Sequence, residues 1–191
     1  MKQCIPLLFQ KRHILPGGRI PLRIAHGPQM HAFKTAIRNG GTFGVCMFDN
    51  DDHGNHFYQI GTRVTVEDFD ASPTDGSLIV TVAGHESFRI DNLNEDENGL
   101  LTAEYEAIQP WPETKVNCDQ QILAEKLKLM FKKHPELNGM HHHKQFDNLS
   151  WLCQRWLELL PLPASEKQLL LSAPNCMDTY DYLMSIMHKP H

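Results

Sequence analysis

The 191-residue sequence has few of the features that announce a chemistry or a compartment. Its five cysteines, Cys4, Cys46, Cys118, Cys153 and Cys176, are odd in number, widely spaced and without a CxxC. That pattern argues against a secreted disulfide framework and a cysteine-rich zinc site, and predicts reduced thiols in a cytoplasmic protein. No run approaches the ~18 apolar residues of a membrane-spanning helix. The opening Ile5-Pro6-Leu7-Leu8-Phe9 is too short, and lacks the small-residue cleavage site, for a secretory leader. Basic charge is scarce: 18 Lys and Arg against 23 Asp and Glu leave −5 with His neutral. A protein whose main task is to neutralise phosphates is disfavoured by that balance. There is no GxxxxGK(S/T), no HExxH and no GxSxG, so the phosphate cradle, the helical zinc pair and the nucleophile elbow are all missing.

What is present suits a folded chain. Apolar residues make up 41% and charged residues 21%, and a chain of this length buries about 70% of its unfolded surface. Two textures meet near residue 114. The first holds short apolar runs and alternations between turns, the signature of a twisted antiparallel sheet. Strands are expected over 3–9, 19–24, 42–48, 61–69, 77–83, 86–93 and 100–109. Turns are expected at Asn50-Asp51-Asp52-His53-Gly54-Asn55, Ser72-Pro73-Thr74-Asp75-Gly76 and Asn94-Glu95-Asp96-Glu97-Asn98-Gly99. One helix interrupts the strands over 28–38, opened by Pro28, ended by Asn39-Gly40-Gly41 and carrying Met30, Phe33 and Ile37 on one face.

From Asn117 the pattern is helical. Leu123, Leu127, Met130 and Phe131 form a stripe that stops at His134-Pro135. A second stripe, Leu149, Leu152, Cys153, Trp156 and Leu160, ends at Pro161. Ser165-Glu166-Lys167-Gln168 reads as a capping box opening a third helix, and a fourth spans 177–188. The expected architecture is α+β: a β-rich antiparallel pseudo-barrel with one inserted helix over 1–114, then a four-helix bundle-like region over 115–191, joined by Trp111-Pro112-Glu113-Thr114.

Several segments together resemble the N-terminal substrate-binding domain of the ATP-dependent Lon protease. They are Ile5-Pro6-Leu7-Leu8-Phe9, Leu15-Pro16-Gly17-Gly18-Arg19-Ile20-Pro21-Leu22-Arg23-Ile24, Phe43-Gly44-Val45, Gly61-Thr62, Thr81-Val82-Ala83-Gly84 with Phe88-Arg89-Ile90, and Gly99-Leu100-Leu101-Thr102-Ala103-Glu104. In the helical half, Trp156-Leu157-Glu158-Leu159-Leu160-Pro161-Leu162-Pro163 and Glu166-Lys167-Gln168-Leu169-Leu170 continue the likeness. The resemblance implies a PUA-like β-domain followed by helices. One departure stands out: the family continues Arg-Ile with Phe-Glu-Pro, whereas Ile24 is followed by Ala25-His26-Gly27-Pro28. With no P-loop and no Ser-Lys protease domain, the chain resembles a free-standing recognition domain, non-catalytic and without a cofactor.

The residues suggest where such a module would bind. Pro16 and Pro21 restrict φ and remove N–H donors, while Gly17 and Gly18 let another backbone approach closely. A groove of Leu15, Pro16, Gly17, Gly18, Arg19, Pro21, Arg23, His26, Met30 and Phe33 could receive an unfolded or extended polypeptide. Against this stands the plainer reading that the apolar members are core and that Pro-Gly-Gly shapes a bend. The same chemistry would serve an adaptor for a separate protease or ATPase, and a weak dimer is compatible with it.

Other constellations are poorer. His141-His142-His143, with His53 and His56 elsewhere, lacks metal-ligand spacing and reads as solvated histidines in a loop, so a metal-dependent hydrolase is the weakest alternative. Lys11, Arg12, His13, Arg19 and Arg23, and the helical Lys126, Lys128, Lys132 and Lys133, admit an RNA-binding PUA-like module. They lack interleaved aromatics to stack bases, and the lysines read as the wet face of a helix. Cys46 in an apolar strand is expected to be inert, and His85-Glu86 to be a surface turn rather than an acid/base pair.

Overall fold

The described residues within 3–107 fold as six strands and one helix. A computed structural model describes residues 3–51 and 54–188. Of the expected turn at 50–55, Asp52 and His53 lie outside those residues. The strands are β1 (Gln3–Gln10), β2 (Arg19–Ile24), β3 (Thr42–Asp51), β4 (Gly54–Ala71), β5 (Leu78–Glu95) and β6 (Leu101–Ala107), with α1 (Pro28–Arg38) between β2 and β3. They pair in the order β2–β5–β4–β3–β1–β6, and β6 returns to β5. Five strands thus close a ring while β2 hangs outside it on the first half of β5.

This is not a clean barrel. β1 and β3 run parallel, Leu7 beside Gly44 and Gln10 beside Met47, which corrects the all-antiparallel expectation. The expected break at Gly84-His85 is also corrected, because β5 is one strand from Leu78 to Glu95. Its pairing with β4 slips between Thr62↔Ser87 and Val64↔Gly84, so His85 and Glu86 occupy a bulge. A bulge uses the same permissive residues as a turn but bends the strand without reversing it. The hairpin tip between β5 and β6 is tied by Asp96, whose carboxylate accepts from the N–H groups of Asn98 and Leu100, each at 2.8 Å.

The sheet has two apolar clusters. Leu8, Ile14, Leu22, Ile24, Phe43, Val64, Val80 and Val82 pack with Ala32, Phe33 and Ala36 of α1. Ile5, Leu7, Phe9, Cys46, Phe88 and Ala103 form the other. Within it the Phe88 ring sits over Gly44 and Gly61, where a β-carbon on either glycine would collide with that ring. In α1 the buried face is Ala32, Phe33 and Ala36, and Ile37 is exposed rather than buried.

The chain divides into two compact units, Met1–Ile108 and Gln109–His191. Among its described residues the second contains a 3₁₀ turn (Cys118–Gln120) and five α-helices: α2 (Gln121–Lys133), α3 (Pro135–Met140), α4 (Leu149–Leu159), α5 (Ala164–Leu171) and α6 (Met177–Met187). Pro135 does not merely stop α2. It occupies the first turn of α3, where its missing N–H costs nothing, so among the described residues five α-helices stand where a four-helix bundle was expected, and that bundle is not what the packing forms. The packing runs from α2 to α3 and α4, and from α4 to α6. The core is Leu123, Leu127, Phe131, Leu149, Leu152, Cys153, Trp156, Cys176 and Leu183, pinned by the Trp156 indole N–H donating to the Leu123 carbonyl at 3.1 Å. The segment 111–114 is bound into this unit. The Trp111 indole donates to the Ala173 carbonyl at 2.9 Å. Two capping details differ from expectation. α5 begins at Ala164 behind Pro163, with no side-chain cap from Ser165. The capping box lies instead at Asn117 and Gln120.

Candidate functional site

The segment from Leu15 to Gly18 does admit a second backbone, and that backbone belongs to β5. Gly17 N–H donates to Gly84 O at 3.0 Å, Gly84 N–H donates to Gly18 O at 2.9 Å, and Gly18 N–H closes the turn on Leu15 O at 2.9 Å. Leu15 is 1% exposed. Arg19 is ion-paired with Glu67, and Arg23 with Asp75 at 2.6 Å. Pro21 is half-buried in β2, and its carbonyl accepts from Arg12 Nη1 at 3.4 Å. Phe33 is buried and Met30 packs half-buried against the same cluster, leaving His26 exposed at the entry to α1. The ten residues therefore separate: a turn bonded to Gly84, an ion-paired edge strand, and a helix start.

The open apolar site lies around that helix start. A cavity of about 260 Å³ is lined by Leu7, Leu8 and Phe9 of β1, Pro28 and Gln29 of α1, Phe48 of β3, Phe57 of β4, and Gly99 and Leu101 near the start of β6. Register builds it. β1 pairs with β6 only from Gln3 to Pro6, so beyond Pro6 the two strands part. Phe48 stands opposite Phe57 across the β3–β4 pair. The rings of Phe9 and Phe57 meet edge-on at 4.7 Å, and those of Phe48 and Phe57 lie 6.1 Å apart. Phe57 remains 58% exposed, a large apolar surface left in water. Lys11 Nζ lies 5.8 Å from the Phe48 ring centre and places a cation at the rim, while the Gln29 amide oxygen accepts from Gln10 Nε2 at 3.3 Å beneath it.

Sequence inspection missed Phe48 and Phe57 because each reads as an ordinary strand residue beside a polar turn. Their symmetric placement about that turn was the available signal, since a hairpin pairs the residues equidistant from its tip. Phe9 joins them only through the parallel β1–β3 pair, which no local pattern announces.

The titratable groups are occupied elsewhere. Arg63 holds both oxygens of Glu86, one of them at 2.7 Å, and these hydrogen bonds keep the Glu86 carboxyl below its ordinary range. His85 shares a 2.7 Å hydrogen bond with Thr65, so His85 and Glu86 stand in a strand with separate partners instead of forming a surface turn. Burial raises the Cys46 thiol to about 12. His141 departs from the expected solvated loop. It is 4% exposed, stacked on Phe131 at 5.3 Å and edge-on to Trp151 at 6.2 Å. Only His142 and His143 of that run are exposed. Among the described residues no three His, Cys, Asp or Glu side chains are grouped to hold a metal ion, and no helix is long and apolar enough to cross a membrane.

A closed five-stranded ring with β2 appended outside it, followed by helices, places the chain in the mixed α+β class. Residues 5–189 match the model of the ATP-dependent protease La (LON) substrate-binding domain, and the chain belongs to that family. Among solved structures it is similar to a Lon N-terminal domain protein from Xanthomonas campestris, with 26% identity and a TM-score of 0.73 over 96% of this chain and 98% of that one. It shares its fold with the N-terminal domain of Mycobacterium avium complex Lon protease, at 16% identity and a TM-score of 0.67 over 96% and 97% of the two chains. No curated protein matches it.

Proposed function

We propose that this protein is a non-catalytic recognition module that binds extended polypeptide segments in the apolar cleft of its β-rich unit. The observation that carries the reading is Phe57, 58% exposed at the mouth of a cavity whose walls are Phe9, Phe48, Leu101 and Pro28. At about 260 Å³ the cleft falls below the roughly 300–1,000 Å³ of small-molecule sites, and exceeds the ~150 Å³ that admits benzene. It suits one or two large apolar side chains of a chain passing over it. Gln29, Lys11 and backbone groups at its rim provide polar contact without selecting a sequence, as a broad binder requires. His26 precedes the Pro28 wall in sequence, and Met30 packs half-buried against the core cluster beneath α1. In this reading Leu15, Pro16, Gly17, Gly18, Arg19, Pro21 and Arg23 shape the scaffold instead of touching the peptide, and Phe33 supports α1 from below.

Binding of this kind rests on apolar burial at roughly 25 cal/mol per Å², less the cost of ordering the peptide, so affinities of micromolar class follow. In this reading the module itself neither hydrolyses ATP nor cleaves its clients, and it presents them to a protease or ATPase in a cytoplasmic setting. Titration with a chemically unfolded protein tests this. A saturable signal with little salt dependence is expected. Absence of saturation overturns the reading, and strong salt dependence with RNA would replace it by nucleic-acid binding.

A further inference from the structure

The second half of β4 has an outer edge that β3 does not cover. The β3–β4 pairing ends at Thr42↔Thr65, and the Val66 N–H donates to Gly41 O at 3.1 Å. From Asp68 to Ala71 the strand pairs with β5 alone, and every residue from Glu67 to Ala71 is exposed. The far side of β5 is taken by β2. The turn after β4 fixes the direction of each main-chain group. The Ser72 N–H donates to Ser77 O at 2.7 Å, toward β5, and alternation along the strand then points the Phe69 and Ala71 N–H groups outward.

Neither outward donor is left open. The Asp68 carboxylate accepts from the Phe69 N–H at 2.8 Å, and the Asp70 carboxylate accepts from the Ala71 N–H at 2.7 Å. Each aspartate covers the donor of the residue that follows it. Glu67 adds a second obstacle. The β4–β5 register slips between Val66↔Val82 and Asp68↔Thr81, so Glu67 occupies a bulge, and its carboxylate pairs with Arg19 of β2. Phe69 stands opposite the buried Val80, yet it is 65% exposed. A bare edge beside a large exposed aromatic is otherwise a template for another strand.

We propose that the outer edge of β4 is a strand-pairing surface for a second copy of this chain, held shut by Asp68 and Asp70. Charge singles out the second copy. In a two-fold antiparallel pairing, outward residues must face outward residues to exchange hydrogen bonds. Phe69 opposite Phe69 sets Asp68 of one copy against Asp70 of the other. Phe69 opposite Ala71 brings the two Asp70 residues together on the axis. Both registers oppose carboxylate to carboxylate at the ~4.5–5.5 Å of directly facing β-carbons, where like charges destabilise the pair. The two aspartates therefore act twice. They occupy the donors that an added strand needs, and they repel the same edge of another molecule.

The test is sedimentation velocity of the full chain over a concentration series, with amide hydrogen exchange read by NMR. Asp68→Ala with Asp70→Ala uncovers both donors and removes both charges. This variant should shift from the mass of the unaltered chain to twice that mass, and its Phe69 and Ala71 amides should gain protection as concentration rises. Adding Phe69→Lys, which puts a cation on the edge of both copies, should restore the original mass. Asp68→Asn with Asp70→Asn removes the charge but keeps the acceptors, so it should double only at higher concentration than the alanine pair. Circular dichroism checks that each variant is folded. If the alanine pair, or the asparagine pair should the former not fold, keeps the unaltered mass throughout, the proposal is overturned. Association that survives Phe69→Lys, or that leaves the Phe69 and Ala71 amides exchanging freely, also overturns it, since another surface then carries the contact.

Discussion

The carbonyl oxygen of Leu15 lies against the α-carbon of Gly84, so closely that any β-carbon there would collide with it. Two main-chain hydrogen bonds between Gly84 and the Gly17–Gly18 pair hold that contact. The Pro-Gly-Gly turn and the middle of β5 are thus one joint, and it anchors the segment leading into the edge strand β2.

Replacing Gly84 by Ala should loosen this joint. The colliding atom is backbone, which cannot rotate away, so the cost falls in the range of about 1–3 kcal/mol for overpacked sites. For a chain of this size each kcal/mol lowers Tm by about 2–4 °C. Gly139→Ala is the matched control. A β-carbon there meets nothing within 4 Å, it lies within α3, and Ala is the better helix former by up to about 1 kcal/mol. Thermal melts should move in opposite directions, and equal shifts would refute the joint.

Phe57→Ala separates binding from folding. Since Phe57 is 58% exposed, its loss should change Tm little. It removes the ring that closes one side of the cleft, and loss of a central aromatic anchor typically costs about 2 kcal/mol or more. Titration with unfolded protein should show Kd rising at least about tenfold, the equivalent of about 1.4 kcal/mol. Unchanged affinity would move the site elsewhere on the β-rich unit.

Local patterns made much of the fold readable before any coordinates. β2 and α1 match the spans read from alternation and from the Pro28 and Gly40-Gly41 punctuation, because those signals act within a few residues. Gly84-His85 misled because turn and bulge draw on the same residues, and only the register of β4 decides between them. His141 misled for a related reason. Its polarity suggested solvent, but Phe131 of α2 stacks on it and Trp151 of α4 meets it edge-on, while Phe146 packs against both of those rings. The cleft was the least legible feature, since Phe9, Phe48 and Phe57 meet through one parallel and one antiparallel pairing.

Acid should release the turn between β4 and β5. Asp75 accepts from the Ser77 hydroxyl at 2.8 Å and the Ser77 N–H at 3.1 Å, and it pairs with Arg23. The Ser77 hydroxyl and N–H, then Ser72 and the Arg23 charge, hold its carboxyl at about 2. A carboxyl depressed in the folded state stabilises it above the ordinary carboxylate value near 4, and that contribution fades as pH falls toward 2. Carbon-detected NMR should find the Asp75 carboxyl titrating near 2, and Ser77→Ala should move it upward. A midpoint near 4 in the unaltered protein would refute the capping role.

The entry to the first long helix of the second unit depends on a reciprocal pair. Asn117 Oδ1 accepts from the Gln120 N–H and Gln120 Oε1 accepts from the Asn117 N–H, both at 3.0 Å. The Asn117 N–H is satisfied by the Gln120 side chain, and the Gln120 N–H is shared between the Asn117 side chain and the Asn117 carbonyl at 3.2 Å. Asn117→Ala removes one acceptor and should cost about 1 kcal/mol, whereas Asn117→Asp keeps the acceptor and adds a charge of the sign the helix start favours. Melting of the Ala variant should fall by about 2–4 °C while the Asp variant holds or rises. Because Gln120 is 7% exposed, Gln120→Ala should cost more than Asn117→Ala, through lost packing as well as the lost hydrogen bond. Equal effects of the two Ala variants would mean that the helix start is held by the cap alone.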